Sequence, residues 1–213
     1  MRKSGRSAIP GKMLYHERKA RRAGFARIAG VDEAGRGPLA GPVVAACVML
    51  ERSDFRNRID DSKVLTAKAR VRAYCEIEEK AVYGVGVVDR DVIDDINIYW
   101  ATALAMKKAV ENLAHEPDFL LIDGRIKLDL PFSARCIIKG DSRSVSIACA
   151  SIIAKVTRDR IMEEYDGVYP EYGFGRHKGY GTKAHNEALR KYGPSPIHRF
   201  SFRPVSAVKH LTD

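Results

Sequence analysis

The sequence has no long apolar run and no closely spaced pair of cysteines, and each absence argues against a class of protein. No apolar run approaches the roughly eighteen residues of a membrane-spanning helix. The N-terminus has no apolar stretch followed by a small-residue cleavage site, so we expect neither a membrane span nor a secretory signal. The four cysteines are widely separated, which disfavours a zinc site and favours reduced, buried thiols in a cytoplasmic protein.

Charge is abundant, and it is unevenly distributed. The net charge is +10. Residues 1–27 hold nine Lys and Arg against Glu17 alone, and residues 172–213 hold eight against Glu187 and Asp213, so the centre of the chain is acidic. Basic ends around an acidic centre suit a protein that binds a polyanion and acts on it with metal cations. A solvated basic surface that aids solubility explains the charge equally well.

Predicted strands and helices alternate along the chain. Apolar or alternating segments predict strands at 25–31, 42–50, 82–88, 119–122 and 134–138. Helical spacing predicts helices at 13–22, 67–80, 97–113 and 145–165, then a loop at 169–180 and a last core helix capped by Thr182. This order indicates an α/β fold with a mixed sheet flanked by helices. We expect a flexible basic tail at 1–12, a main domain at 13–192 and a small helical C-terminal appendage at 193–213.

Acidic residues stand where three predicted strands stop. Apolar residues lead to Asp32-Glu33, to Asp123-Gly124 and to Gly140-Asp141. If these strands are neighbours, the acids cluster, and a cluster of like charges is unfavourable unless a cation neutralises it. A single Asp-Gly is better explained as an ordinary turn, and three such sites shift the balance without deciding it. Asp32 and Glu33 are adjacent, so both serve one site only if Glu33 already lies in the turn.

Carboxylates in this arrangement favour divalent metal chemistry. Mg²⁺ is held in proteins by a few carboxylates together with phosphate oxygens of the substrate. Two such ions can activate a water and stabilise the leaving oxygen of a phosphodiester, so no protein nucleophile is needed. This agrees with the lack of a convincing Ser-His-Asp or Cys-His arrangement.

Other segments carry polar groups, each with a plainer alternative. The Gly-Arg-Gly at 35–37 can present N–H groups to phosphate or ribose, although a tight turn explains it better on its own. The hydroxyl and ammonium of 62–63 suit a phosphate contact, and a helix start fits as well. Tyr180 lies between glycines and can stack on a sugar or base, or pack within a loop. His198-Arg199 can contact phosphate. The remaining isolated histidines suggest no role: His16, His115, His185 and His210.

Taken in order, these motifs resemble one family. The run at 28–43, Ile-Ala-Gly-Val-Asp-Glu-Ala-Gly-Arg-Gly-Pro-Leu-Ala-Gly-Pro-Val, resembles the opening motif of the type 2 ribonucleases H. Motifs at 61–63, 121–124, 140–142, 151–159, 172–174, 177–182 and 198–202 follow in the family's order. The resemblance covers about residues 14–203. It departs at Val64, where a second lysine is common, and this change affects one phosphate contact.

The resemblance implies a ribonuclease H-like catalytic domain at 13–192 that uses two Mg²⁺ or Mn²⁺ ions. The implied substrates are RNA–DNA hybrids and duplex DNA with an embedded ribonucleotide, cut on the 5′ side to leave 3′-hydroxyl and 5′-phosphate ends. We expect a monomer, because no exposed apolar heptad or strand edge asks for a partner. The implied catalytic metal ligands are Asp32, Glu33, Asp123 and Asp141. The implied substrate-binding residues are Gly35, Arg36, Gly37, Ser62, Lys63 and Tyr180.

The resemblance also implies individual roles. Asp32 would bridge the two ions, and the loop at 35–37 would recognise the ribose 2′-hydroxyl beside the scissile phosphate. Tyr180 would pack on that sugar and help to recognise an RNA–DNA junction, and the pair Ser62-Lys63 would contact phosphate. Two rival functions stay open. A non-catalytic nucleic-acid-binding protein explains the charge but not the acids, and fold alone does not exclude another two-metal nuclease such as a junction resolvase.

Overall fold

A computed structural model describes residues 9–209; residues 1–8 of the predicted tail, and residues 210–213 with His210, lie outside the described part. The strands of the described chain are β1 Ile28–Ala34, β2 Val43–Leu50, β3 Ala81–Val88, β4 Phe119–Asp123 and β5 Ser133–Ile137. Its helices are α1 Tyr15–Arg22, α2 Ala67–Glu78, α3 Arg90–Glu111, α4 Val145–Val168, α5 Phe174–His177, α6 Lys183–Tyr192 and α7 Arg203–Lys209. Short 3₁₀ helices span Gly11–Leu14 and Gly140–Ser142. None of the described helices is long and apolar enough to span a membrane.

The strands form one mixed sheet in the order β3-β2-β1-β4-β5. The pairs β3-β2 and β2-β1 are antiparallel, whereas β1-β4 and β4-β5 are parallel. The carboxyl ends of β1, β4 and β5 therefore lie along one edge of the sheet. The predicted α/β fold, a mixed sheet flanked by helices with a helix near the C-terminus, is confirmed.

Alternation along β2 explains why both faces of the sheet are covered. Ala46 and Val48 point into the core formed with α2 and α4, while Ala45 and Cys47 point into the core formed with α3. All four are fully buried, as expected for a central strand with helices on both sides. On the first face α4 lies very close to β1, because a Cβ at Gly30 would stand 2.2 Å from the backbone of Ser146.

Several predicted boundaries were wrong for identifiable reasons. β1 runs from Ile28 to Ala34 rather than over 25–31, because its pairing with β2 continues to the end of the segment. α3 begins at Arg90 and contains Asn97 in a left-handed conformation with φ 64°. The Asn97 side chain accepts the N–H of Tyr99 at 2.9 Å, so 97 starts the second half of the helix and the first half was missed. The predicted loop at 169–180 contains α5.

Two details of the sequence prediction concern single side chains. The Thr182 hydroxyl accepts the N–H of His185 at 3.2 Å and caps α6, as predicted. The expectation of buried thiols is confirmed for two cysteines and wrong for the other two: Cys47 and Cys149 are buried, whereas Cys75 and Cys136 are exposed.

The described chain ends both make contacts with the main body. Ile9 is buried within the core on the α4 face. After α6 the chain returns to the loop that precedes β2, where His198 forms a bridge with Ala40 and Arg199 is fully buried. Val205 of α7 packs against Leu189 of α6 and Leu39. The domain boundaries at 12 and 192 stay predictions.

Candidate active site

The carboxyl ends of β1 and β4 carry acidic side chains to one edge of the sheet. The two strands are parallel neighbours, and their register ends with Val31 opposite Ile122, so Asp32 and Asp123 come next. Carboxylate oxygens of Asp32, Glu33 and Asp123 all lie within 4.8 Å of one another. The structure therefore brings these three acids together.

Glu33 lies within β1 and not in the turn after it. From the sequence we expected Asp32 and Glu33 to share one site only if Glu33 lay in the turn, and that expectation was wrong. Antiparallel pairing through Glu33↔Ala45 and Ala34↔Val44 keeps this part of the backbone extended. The Asp32 carboxylate folds back to accept the Glu33 N–H at 2.7 Å, and the Glu33 side chain is one methylene longer. Adjacent strand residues can thus reach one site although their Cβ atoms point to opposite faces.

The three acids form an unfavourable group of like charges. Burial, followed by the charges of Glu33 and Asp123, raises the pKa of Asp32 well above its ordinary value. Burial also raises the pKa of Glu33, which Asp123 raises further and the Arg36 guanidinium, 3.6 Å away, lowers in part. A compact set of oxygen donors that resists carrying its own charge fits a hard divalent cation.

Asp141 lies beside this group without belonging to it. It is buried in the 3₁₀ helix that follows β5, outside the three-residue cluster. The N–H of neighbouring Gly140 donates to the Asp123 carboxylate, which links the two strand ends. Burial, and then the charges of Asp61 and Asp123, raises the pKa of Asp141 to about 6, although Lys63 opposes the increase.

A cavity of about 270 Å³ opens next to Glu33. All six residues that the sequence suggests for substrate binding line it: Gly35, Arg36, Gly37, Ser62, Lys63 and Tyr180. Tyr180 is 42% exposed, which excludes simple packing within a buried loop. The cavity therefore joins these residues, from three distant parts of the chain, beside the acidic cluster.

The two polar groups of the Ser62-Lys63 pair have different surroundings. Ser62 is buried, and its hydroxyl is hydrogen-bonded to that of Ser151 at 2.9 Å. Lys63 is exposed. Burial lowers the pKa of its ammonium, but the charges of Asp61 and Asp32 outweigh that effect and the net change is an increase. The Lys63 charge therefore partly compensates the acidic residues from its position at the cavity wall, and no ion-pair partner of its ammonium is found among the described residues.

Ser151 and Lys155 of α4 also line the cavity, and the sequence motifs predict no substrate-binding role for either residue. The Lys155 ammonium lies 2.6 Å from the Asp159 carboxylate and 5.9 Å from the centroid of the Tyr180 ring. The four-residue spacing within a predicted helix was the available signal, because residues i and i+4 share one helix face.

The suggestion that His198 and Arg199 contact phosphate was wrong, because both side chains are fully buried. The Arg199 guanidinium donates to the carbonyls of Gly35, Arg36 and Gly41. The sequence suggests no role for His185, yet its ring is buried against that of His198, with the two Nε2 atoms 3.0 Å apart. These residues lie beneath the cavity wall and make no contact with solvent.

Known proteins resemble this chain in both sequence and structure. The model of the family described as ribonuclease HII matches residues 29–205. A protein named Ribonuclease HII from Bacillus pumilus (strain SAFR-032) is 54% identical over 198 residues, which cover 92% of this chain and 78% of that relative. The crystal structure of ribonuclease H2 from Pyrococcus horikoshii OT3 has a TM-score of 0.74 and 26% identity, covering 87% of this chain and 98% of that chain.

A more distant structure shares the fold. Bst-RNase HIII, solved in complex with Mn²⁺, has a TM-score of 0.64 and 22% identity, and the match covers 89% of this chain and 71% of that chain. Because the family match spans most of the chain and the bacterial relative is 54% identical, the chain belongs to the ribonuclease HII family of endoribonucleases, which hydrolyse the RNA of RNA–DNA hybrids.

Proposed function

We propose that this chain cuts the RNA strand of hybrids and also cuts 5′ to a single ribonucleotide within duplex DNA, leaving 3′-hydroxyl and 5′-phosphate ends. One observation carries the proposal. A cluster of three carboxylates adjoins a cavity that combines a Gly-Arg-Gly loop, an exposed tyrosine and a lysine. The first group suits metal-dependent hydrolysis, and the second suits recognition of one ribose and its phosphate.

Members of this family require a divalent metal, and we propose Mn²⁺ or Mg²⁺ held by Asp32, Glu33, Asp123 and Asp141. Two bound ions would activate the attacking water and stabilise the leaving oxygen. Asp32 is our candidate for the shared ligand, because it is buried and the charges of both Glu33 and Asp123 act on it. The Mn²⁺ complex of Bst-RNase HIII supports the choice of metal.

The chain's own groups at the cavity account for selectivity. We propose that N–H groups of the loop at 35–37 bind the 2′-hydroxyl, which is the feature that distinguishes RNA from DNA. Tyr180 packs on the adjoining sugar and reads the RNA–DNA junction, and Lys63 with Ser62 binds the neighbouring phosphate. Lys63 makes the stronger contribution, because the Ser62 hydroxyl already pairs with Ser151. We further propose that the enzyme acts as a monomer in the cytoplasm.

The test uses three labelled duplexes: all DNA, DNA with one ribonucleotide, and a full RNA–DNA hybrid. Each is incubated with wild-type protein in Mg²⁺, in Mn²⁺ and without metal, beside Asp32→Asn and Asp123→Asn. Glu116→Gln is the matched control, because it removes an exposed acid that precedes β4 at the opposite edge of the sheet. We expect metal-dependent cutting 5′ to the lone ribonucleotide, lost in both Asn variants and kept in the control.

Two outcomes would contradict the proposal. Cutting of the all-DNA duplex would favour a resolvase-like nuclease. A hybrid cut normally beside an intact single-ribonucleotide duplex would remove the finer substrate assignment and leave the family activity in place.

A further inference from the structure

Arg199 is a buried cation whose side-chain hydrogen bonds within the described residues all go to backbone carbonyls, and its guanidinium also lies 5.1 Å from the centroid of the Phe202 ring. Its Nε donates to Gly41 at 2.9 Å, one terminal nitrogen to Arg36 at 3.0 Å and the other to Gly35 at 2.6 Å. No carboxylate of the described residues lies within ion-pair distance of it. Burial, then the charge of Arg158, lowers the pKa of Arg199 to about 9. A charge buried at such cost, with its donors directed at one loop, indicates that the loop conformation matters.

The guanidinium determines which way the loop's N–H groups point. The described residues contain no cis peptide, so each carbonyl and the next N–H point in opposite directions. Because the carbonyls of Gly35 and Arg36 point down to Arg199, the N–H groups of Arg36 and Gly37 point away from it, on the exposed side of the loop. Within the described residues neither N–H has a hydrogen-bond acceptor. Two consecutive free N–H groups can bind an oxygen-rich ligand.

The neighbouring residue His198 acts on the opposite wall of the cavity through a histidine chain. Its Nδ1 accepts the Ser195 N–H at 2.9 Å, so its proton is on Nε2. That Nε2 donates to His185 Nε2 at 3.0 Å, which leaves the His185 proton on Nδ1, from which it donates to the Tyr180 carbonyl at 2.9 Å. The network therefore fixes both tautomers and requires both rings to be neutral.

We propose that the dipeptide His198-Arg199 positions both ribose-reading elements: Arg199 holds the loop at 35–37, and His198, through His185, holds Tyr180. This inference rests on the proposed function. Both elements of the cavity wall are anchored to one short segment. The backbone of that segment is itself fixed, because the Arg199 N–H donates to the Leu39 carbonyl at 2.8 Å. Neither side chain reaches the cavity, so both are positioning residues and not catalytic ones.

Substitution of Arg199 should affect cleavage of both substrates, whereas substitution of His198 should affect mainly cleavage of the single-ribonucleotide duplex. Arg199→Lys keeps a positive charge but cannot serve three carbonyls with a planar fork, so the loop loses its fixed orientation. We expect kcat to fall about 10- to 100-fold on both the single-ribonucleotide duplex and the hybrid, because misplacement of about 1 Å can cost that much. His198→Leu removes the donor to His185 and should reduce cleavage of the single-ribonucleotide duplex by about 10-fold more than that of the hybrid, because only the former presents the junction to Tyr180.

His198→Gln supplies the matched rescue. Its amide can replace the Nε2–H donor, so the substrate ratio should return towards that of the wild type. Fold integrity is followed by circular dichroism and by the Mn²⁺-induced rise in Tm, which should be retained in all three variants because the acids are untouched. A purely structural role of His198 would lower cleavage of both substrates by one common factor, and a purely structural role of Arg199 would lower kcat only in proportion to the folded fraction.

The outcomes separate this inference from the function on which it rests. Wild-type protein that cuts neither duplex would overturn both. Wild-type cutting together with an unchanged substrate ratio in His198→Leu, or with unchanged kcat in Arg199→Lys, would overturn the positioning roles alone. Loss of both activities in proportion to the folded fraction would also overturn them.

Discussion

The buried histidine pair predicts a specific loss of stability in mild acid. Burial lowers the pKa of His185 to about 4 and, with the charge of His185, that of His198 to about 3, from an ordinary value of 6.5. A histidine whose folded-state pKa is lowered contributes stability that is complete above pH 6.5 and is lost as the pH falls towards the folded value. In that pH range the two histidines bind protons in the unfolded chain but not in the folded chain.

The size of the effect follows from the linkage relation. Between pH 7 and pH 5 each histidine lowers the free energy of unfolding by about 2 kcal/mol, so the pair lowers it by at most about 4 kcal/mol. Typical domains have a total stability of about 5–15 kcal/mol, so this is a large part of it. The raised pKa of Asp141, about 6, lies in the same range, so a variant is needed that changes only the histidines.

The double variant His185→Asn/His198→Gln serves this purpose, because it keeps neutral donors and removes both titrating rings. Urea unfolding of wild type and variant is followed by circular dichroism at pH 7, 6 and 5. The variant should be less stable at pH 7, and its decline between pH 7 and pH 5 should be smaller than that of the wild type by up to about 4 kcal/mol. Parallel profiles for the two proteins would refute the reasoning, since Asp141 is present in both and contributes equally to both.

Three further predictions concern close packing and metal binding. Gly30→Ala should destabilise the fold by at least about 3 kcal/mol in urea unfolding, because its Cβ would stand 2.2 Å from helix backbone; Gly167→Ala, with no atom within 4 Å, is the control and should change stability by less than about 1 kcal/mol. Gly35→Ala should reduce cleavage of both ribonucleotide substrates by more than about 10-fold, because φ is +97° and a Cβ would meet the Arg158 side chain at 2.1 Å; wild-type kcat would contradict this. Addition of Mn²⁺ at about 100 times its Kd should stabilise the wild type by about 2.7 kcal/mol and should not stabilise Asp32→Asn; an equal rise in Tm for both would place the metal elsewhere.

The fold was predictable because its signals are local. Apolar alternation and turn residues locate all five strands within a few residues, and Thr182 marks the start of α6. The errors arise where tertiary contacts decide. Pairing with β2 extends β1 through Glu33. Asn97, with φ 64°, joins two helical segments, of which the sequence predicts only the second, at 97–113.

The residues that line the cavity could be predicted from the sequence, whereas the buried residues that support them could not. Motifs that end strands or carry Gly-Arg-Gly are recognisable, and the six suggested residues do line one cavity. The sequence does not reveal the buried residues that hold these six in place, because Arg and His side chains are usually expected to contact solvent. Arg199 and His198 are buried instead. The donors of Arg199 are satisfied by carbonyls of a distant loop, and the donor of His198 is satisfied by a second histidine, His185.

Not all of the basic residues of the C-terminal region at 172–213 are available to bind nucleic acid. Arg199 is buried, and the Lys178 ammonium lies 2.7 Å from the Glu163 carboxylate, so these two charges are directed inward or paired. Arg158, also fully buried, donates to the carbonyls of Ala40, Pro42 and Lys178 and so ties the loop before β2 to the Tyr180 segment. Some of the positive charges that the composition suggests for polyanion binding, such as those of Arg199 and Arg158, therefore stabilise the backbone conformation of loops. A count of Lys and Arg overstates the surface available to nucleic acid, and in the positioning role that we propose Arg199 supports ribose selectivity without reaching the cavity.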